Sequence, residues 1–192
     1  MQKNVKLAFK IILGIMLSAL LIFLVVFSQR FYLKKAYPIK HTEFVEKYSK
    51  QYQLDELFVY ALIRTESDFS QNATSSIGAR GLMQITEETF DWIKGKLKDK
   101  ESTFDSMYDA QTAVEYGCYL ISYLKDTLGS EQNLLCGYHA GVNRAKSWLK
   151  DDEISQNGQI IVDKIPFPDT KQYVNKVMET YEMYKKLYEI GE

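Results

Sequence analysis

Ile11 to Phe27 is an unbroken apolar run of 17 residues without a charge, and it restricts the architecture more than any other segment. As a helix rising about 1.5 Å per residue it spans roughly 26 Å, close to the hydrocarbon thickness of a bilayer. It lacks the polar stripe of a helix lying on a soluble core, and a basic segment ending at Pro38 sets it apart. The chain is expected to divide into a basic cytoplasmic N-terminus (1–10), a transmembrane anchor (11–28), a basic linker (29–40) and one outer domain (41–192). Lys10 is long enough to snorkel, so Leu7, Ala8 and Phe9 can extend the span. Lys3 and Lys6 mark a cytoplasmic side, but Arg30, Lys34 and Lys35 follow so closely that charge bias alone does not fix orientation. The main competitor is a cleaved signal peptide. No small-x-small site follows the run, and no cysteine follows it to accept lipid, so an uncleaved single-pass anchor is expected.

Charge divides the chain at the same place. The sequence carries 24 basic and 25 acidic residues. Seven of the basic ones and none of the acidic ones lie in residues 1–40, which leaves 17 against 25 and a formal charge of −8 for the rest. An acidic domain of this kind is a poor partner for nucleic acid. Cys118 and Cys136 are expected as small buried core residues, although an oxidising exterior would let them pair if geometry allowed. With no Cys-x-x-Cys and only His41 and His139 as histidines, neither a metal site nor another cofactor is expected.

About 150 residues remain for the outer part, enough for one core. Helical periodicity dominates: helices are expected over His41 to Tyr52, Asp55 to Glu66, Glu87 to Lys98, Asp109 to Lys125, Glu131 to Tyr138, Arg144 to Leu149 and Thr170 to Tyr188. The fold class is mainly α. Gln159 to Val162, after Asn157-Gly158, reads either as a short β element or as an irregular excursion. Tyr181, Tyr184 and Tyr188 recur at helical steps and read as a packing stripe.

One carboxylate is singled out by its setting. Asp55 is placed as an N-cap, and Leu54, Leu57, Phe58, Ala61 and Leu62 form the apolar face of the helix that follows. Glu66 falls in its last turn, with Ile63, Leu62 and Val59 at i−3, i−4 and i−7, so its carboxylate stands over apolar side chains. Burial and the negative end of the helix dipole both disfavour the anion, which raises the pKa and suits a general acid. Ser75, Ser76, Gly78 and Gly81 then make a loop that brings backbone close to a ligand, and a second helix starts at Thr86.

These residues resemble the lytic transglycosylase domain of the soluble lytic transglycosylase type, a lysozyme-like fold acting on peptidoglycan. Four motifs carry the resemblance over about residues 41 to 190: Glu66-Ser67; Gly81-Leu82-Met83-Gln84 with Ser75 to Arg80 before it; Gly137-Tyr138-His139-Ala140-Gly141; and Ile165 to Val174. The chain departs from the pattern at His139, where asparagine is usual, at Gly137, where alanine is usual, and at Asp169, where glutamate is common. Asparagine and histidine can each donate one hydrogen bond, but histidine also titrates near neutrality.

The resemblance implies Glu66 as the catalytic residue and Ser75, Met83, Gln84, Tyr138, His139 and Tyr173 as substrate-binding residues. It implies cleavage between N-acetylmuramic acid and N-acetylglucosamine with 1,6-anhydromuramyl ends, by a single carboxylate where ordinary glycosidases use two. The substrate's N-acetyl oxygen or carbonyls of the Ser75 to Gly81 loop are candidates to stabilise the developing positive charge, and Gln84 to hold the acetamido group or Glu66 itself. The expected partners are peptidoglycan strands and the membrane, with no protein partner specified and the catalytic domain on the extracytoplasmic side. Two other readings stay open: a hydrolysing muramidase on the same fold, in which Asp68, Asp91, Glu87 or Glu88 activates water, and a catalytically silent glycan-binding scaffold.

Overall fold

The computed structural model describes residues 2–188, without the side chains of residues 2–9 and 11. Met1 and residues 189–192 of the expected domains, and the side chains of Lys3, Lys6, Leu7, Ala8 and Phe9, therefore lie outside the described residues. The chain divides into two compact units, with the boundary after Pro38.

The first unit is one helix, α1 (Gln2–Ala36). Its stretch from Ile12 to Ala36 is long and apolar enough to cross a membrane, and none of it is buried. Gln29 to Ala36, read as linker, continues the helix without a break. No glycine or proline lies between Gln29 and Tyr37, and Phe31, Tyr32 and Leu33 prolong the apolar character.

The second unit is mainly α, as its periodicity predicts. Its helices are α2 (Thr42–Tyr52), α3 (Glu56–Ser67), α4 (Glu87–Leu97), α5 (Ala110–Leu128), α6 (Glu131–Ala140), α7 (Val142–Leu149) and α8 (Pro168–Tyr188). Side-chain caps fix several starts. Asp55 accepts from the Leu57 amide at 2.7 Å, Asp109 from Thr112 at 2.9 Å, and Thr86 from Thr89 at 3.4 Å. Helix α3 lies along α8, α5 runs beside α2 and α6, and α6 also meets α7 and α8. Leu62, Ile63, Leu82, Met83 and Ile121 are fully enclosed in the core. The tyrosine stripe of α8 is packing: Tyr184 is buried and stacks on Tyr60 at 6.0 Å, while the Tyr181 hydroxyl donates to the Asp55 carboxylate at 2.6 Å. Cys118 and Cys136 are both buried free thiols.

The open segment near residue 159 is a small hairpin. Strand β1 (Ser155–Gln156) pairs antiparallel with β2 (Gln159–Ile160), and Val162–Lys164 turns into a 3-10 helix instead of prolonging the strand. Asn157 and Gly158 both have positive φ, 52° and 75°, as a two-residue hairpin loop requires. Buried Asn133 of α6 holds the hairpin down: its amide nitrogen donates to the carbonyls of Leu128 and Gly158, and its oxygen accepts from the Ile160 amide, each at 2.9 Å.

Candidate active site

The site begins where α3 ends. Glu66 lies in the last turn of α3, and Asp68 closes the helix in a left-handed conformation, its amide donating to the Arg64 carbonyl. The Ser67 hydroxyl reaches across to the Leu82 carbonyl at 2.8 Å, tying the first motif to the second. Glu66 is half-buried over the apolar face of α3, and burial pushes its carboxyl up to about 7, against the opposing pull of the Tyr173 hydroxyl and the Lys176 ammonium. A carboxyl at that value holds or releases a proton near neutrality, which acid-base catalysis needs.

The loop between α3 and α4 is held by its own backbone. Ser75 donates from its amide to the Ala79 carbonyl, and its hydroxyl oxygen accepts from the Ala79 amide. Gly81 has φ +74°, and a Cβ there would stand 1.8 Å from the Met107 carbonyl oxygen, so only glycine fits against the 3-10 helix Phe104–Tyr108. Met83 departs from its expected role. Its side chain is completely buried, in the space left by Gly117, so it forms part of the floor beneath the site, and only its carbonyl faces the cluster, accepting from Tyr138. Gln84 also differs: its amide nitrogen donates to the carbonyls of Gly81 at 2.9 Å and Ala73 at 3.3 Å, so it braces the loop and does not hold Glu66. The carbonyls of Ser75, Ala79 and Gly81 accept bonds inside the loop.

Helices α6 and α8 supply the facing wall. The Tyr173 hydroxyl of α8 donates to Glu66 Oε1 through a short hydrogen bond. The Tyr138 hydroxyl of α6 donates to the Met83 carbonyl at 2.6 Å. Burial holds both phenols protonated well above their ordinary value, and the Glu66 carboxylate adds to the effect. His139 is exposed; its Nδ1 meets the Thr170 hydroxyl at 3.0 Å and its ring lies 4.5 Å from that of Tyr173. Burial on its packed side lowers the imidazole pKa, partly offset by Asp169. The structure thus brings Glu66, Tyr138, Tyr173 and His139 together, with Ser75 and Gln84 shaping the loop beside them.

Asp68 does not join this cluster: its carboxylate is exposed and sits 3.6 Å from the Arg64 guanidinium. Among the described residues, no second carboxylate is one of the groups that perturb Glu66. Among the described residues no group of three or more His, Cys, Asp or Glu is placed to hold a metal ion. Two supports escaped the sequence reading. The backing of Gly81 by Met107 and the nesting of Met83 against Gly117 both depend on distant segments, and the only sequence signal was a glycine inside an otherwise regular helix. At Gly137 an added Cβ would stand 2.4 Å from Leu128 Cδ1, so the larger leucine fills the space that alanine would need.

Residues 43–161 match the transglycosylase SLT domain family. The chain is 24% identical over 159 residues to the soluble lytic murein transglycosylase of Escherichia coli (strain K12), covering 82% of this chain and 24% of that protein. It is 25% identical over 168 residues to the membrane-bound lytic murein transglycosylase C of Yersinia pestis (strain Pestoides F), covering 77% of this chain and 47% of that one. The chain therefore spans between about a quarter and a half of the length of these relatives. Its fold is that of an inactive mutant of the lytic transglycosylase Slt from Pseudomonas aeruginosa, with TM-score 0.75 and 24% identity over 83% of this chain and 26% of that chain. The 70 kDa soluble lytic transglycosylase of Escherichia coli superposes with TM-score 0.74, at 24% identity over 80% of this chain and 25% of that one. By the match over residues 43–161, the chain belongs to the transglycosylase SLT domain family.

Proposed function

We propose that the protein is a membrane-anchored lytic transglycosylase that cleaves the β-1,4 bond between N-acetylmuramic acid and N-acetylglucosamine in peptidoglycan, leaving 1,6-anhydromuramyl ends. The observation that carries this reading is a single carboxyl, Glu66, pushed by burial to about 7 and held by one tyrosine, with no second carboxylate among the described residues acting on it. Tyr173 occupies Oε1, which leaves Oε2 to bear the proton and face the sugar. Glu66 gives that proton to the glycosidic oxygen as the bond to C1 breaks, and N-acetylglucosamine leaves with a hydroxyl. The muramyl 6-hydroxyl oxygen then attacks C1, and the Glu66 carboxylate takes its proton. Atoms balance without water, and the acid is regenerated for the next turnover.

Helix α1 provides the anchor in this reading, and the wall substrate puts the catalytic domain on the extracytoplasmic side. Attack confined to glycan near the membrane suits local remodelling. The test is digestion of purified peptidoglycan by the full chain in detergent, followed by mass analysis of the new ends. Anhydromuramyl ends that disappear with Glu66→Gln are expected. Reducing muramic ends would overturn the mechanism in favour of hydrolysis, and glycan binding without cleavage would overturn the activity.

A further inference from the structure

Within the cluster around Glu66, His139 carries a titrating ring that the reaction steps above leave unused. It lies in the last turn of α6, where its Nδ1 meets the hydroxyl of buried Thr170 at 3.0 Å and one ring face stands 4.5 Å from the Tyr173 ring. Those contacts hold the imidazole in place. The residue is nevertheless exposed, so the open part of the ring is its other face and the Nε2 edge. When Nδ1 carries the proton and donates it to Thr170 Oγ1, the basic lone pair sits on Nε2, the disposition of an oriented histidine base. Tyr173 stands between the two titrating groups, its ring against His139 and its hydroxyl on Glu66 Oε1. The charged and titratable groups about His139 are Asp169 and Tyr173 of α8, Glu66 of α3 behind Tyr173, and Arg144 of α7, whose guanidinium reaches the Ala140 carbonyl at 3.4 Å. Asp169 favours the imidazolium, and burial of the packed side outweighs it, so the ring titrates below its ordinary 6.5. With Glu66 raised and His139 lowered, the carboxyl can hold its proton while the imidazole is neutral. At their ordinary values of 4.5 and 6.5 a carboxylate beside an imidazolium would prevail instead.

We propose that His139 is a second catalytic residue, a base that takes the proton of the muramyl 6-hydroxyl on Nε2 and returns it to Glu66. The inference rests on the transglycosylase reading and supplies the path by which the Glu66 carboxylate recovers its proton. Tyr173 leaves Glu66 one free oxygen, Oε2, and in the first step that oxygen faces the glycosidic oxygen. The 6-hydroxyl is a different atom of the sugar, and a neutral Nε2 on the facing wall can meet it without moving the acid. As the bond from C1 to the leaving oxygen breaks, the Oε2 proton passes to that oxygen. The 6-oxygen then bonds to C1 and its proton passes to Nε2, which leaves a carboxylate and an imidazolium. Transfer of that proton from His139 to Glu66, directly or across one water, restores both groups, and no water or co-reactant is consumed. An asparagine at this position could donate a hydrogen bond but could not take up a proton near neutrality.

The relay adds a pH limit that Glu66 alone does not impose. A reaction needing only protonated Glu66 stays fast as pH falls, whereas one that also needs neutral His139 slows once the imidazole takes its proton. The test is the rate at which the full chain in detergent forms anhydromuramyl ends from peptidoglycan, measured from about pH 4 to about pH 9. Wild type is expected to give a bell-shaped profile. His139→Asn should give a plateau on the acid side, with the rate near neutrality down roughly ten- to a hundredfold. Imidazole added to His139→Ala should restore the rate several-fold, in proportion to the neutral imidazole present, and circular dichroism checks that both variants are folded. A wild-type rate that does not fall in acid, or a His139→Asn profile that keeps the acid limb together with no rescue by imidazole, would overturn the relay and leave the proposed function standing. No anhydromuramyl ends from the wild-type chain at any pH would overturn both.

Discussion

Among the carboxylates in this domain that accept a hydrogen bond from a tyrosine, Glu66 and Asp99 respond in opposite directions. Glu66, bonded by Tyr173, is raised to about 7, whereas Asp99, bonded by Tyr116 at 2.8 Å, is held below the usual carboxylate range. Asp99 follows α4 in a loop and collects donors: chiefly the Ser102 hydroxyl, then the Glu101 amide at 2.8 Å, Tyr116, and the Ser102 amide at 3.2 Å. Glu66 has one hydroxyl, and the apolar face of α3 beneath it. A phenol partner therefore does not by itself decide where a carboxylate titrates; the number of donors set against the depth of burial does. Asp99 is tuned to stay charged and hold a loop, Glu66 to exchange a proton.

The contrast can be broken most severely at Glu66. Replacing it with glutamine should leave the helical circular dichroism unchanged and lower cleavage of peptidoglycan by roughly 10²- to 10⁴-fold or more, the usual contribution of a general acid. Cleavage near the wild-type rate would show that the reactive group lies elsewhere. Stability tests the same carboxyl without substrate. Because its folded pKa is raised, the protonated group favours the folded state fully below about 4.5, and this contribution is lost as pH rises through about 7. Glu66→Gln should thus match wild type near pH 4 and exceed it at pH 8 by on the order of 2–3 kcal/mol in denaturant melts. A gap that does not widen with pH would mean the carboxylate is well solvated when folded.

Asp99 has the opposite sign. Its lowered pKa stabilises the fold above the unfolded value of 3.8 and loses that effect as pH falls below it. Asp99→Asn should cost about 1 kcal/mol at pH 7, and the difference from wild type should shrink in acid. The smallest effect sharpens the comparison. Tyr173→Phe removes the one hydroxyl that favours the Glu66 carboxylate, so the alkaline limb of the pH-activity profile should move upward. Tyr116→Phe should leave that profile where it is, since Tyr116 bonds Asp99.

Much of this arrangement was legible in local chemistry. Asp55 and Thr86 announce their helices by capping, and the i−3 and i−4 neighbours of Glu66 foretell its apolar setting before any tertiary contact is known. What the sequence hid was decided at long range. Nothing local indicates that Met83 turns into the core at Gly117, because the room there is made by a glycine 34 positions later. Nor does local sequence show that Gln84 spends its amide on the Ala73 and Gly81 carbonyls, since a glutamine in a loop has many partners of equal chemistry. Asp99 looks like any aspartate after a lysine-rich helix end until its turn closes on it. The same holds for His139, whose neighbour Tyr173 comes from another helix.

The leucine lying over Gly137 makes the merit of that glycine conditional on another residue. In an isolated helix, alanine in place of glycine would gain about 1 kcal/mol, but here it would have to displace the end of Leu128, which reaches across from α5. Gly137→Ala alone is expected to destabilise, and the same change beside Leu128→Val to stabilise. Denaturant melts of the two single variants and the double are expected to show sign epistasis between these positions, nine residues apart. On that expectation, an alanine at position 137 calls for a smaller companion at 128, so neither site can be optimised without regard to the other.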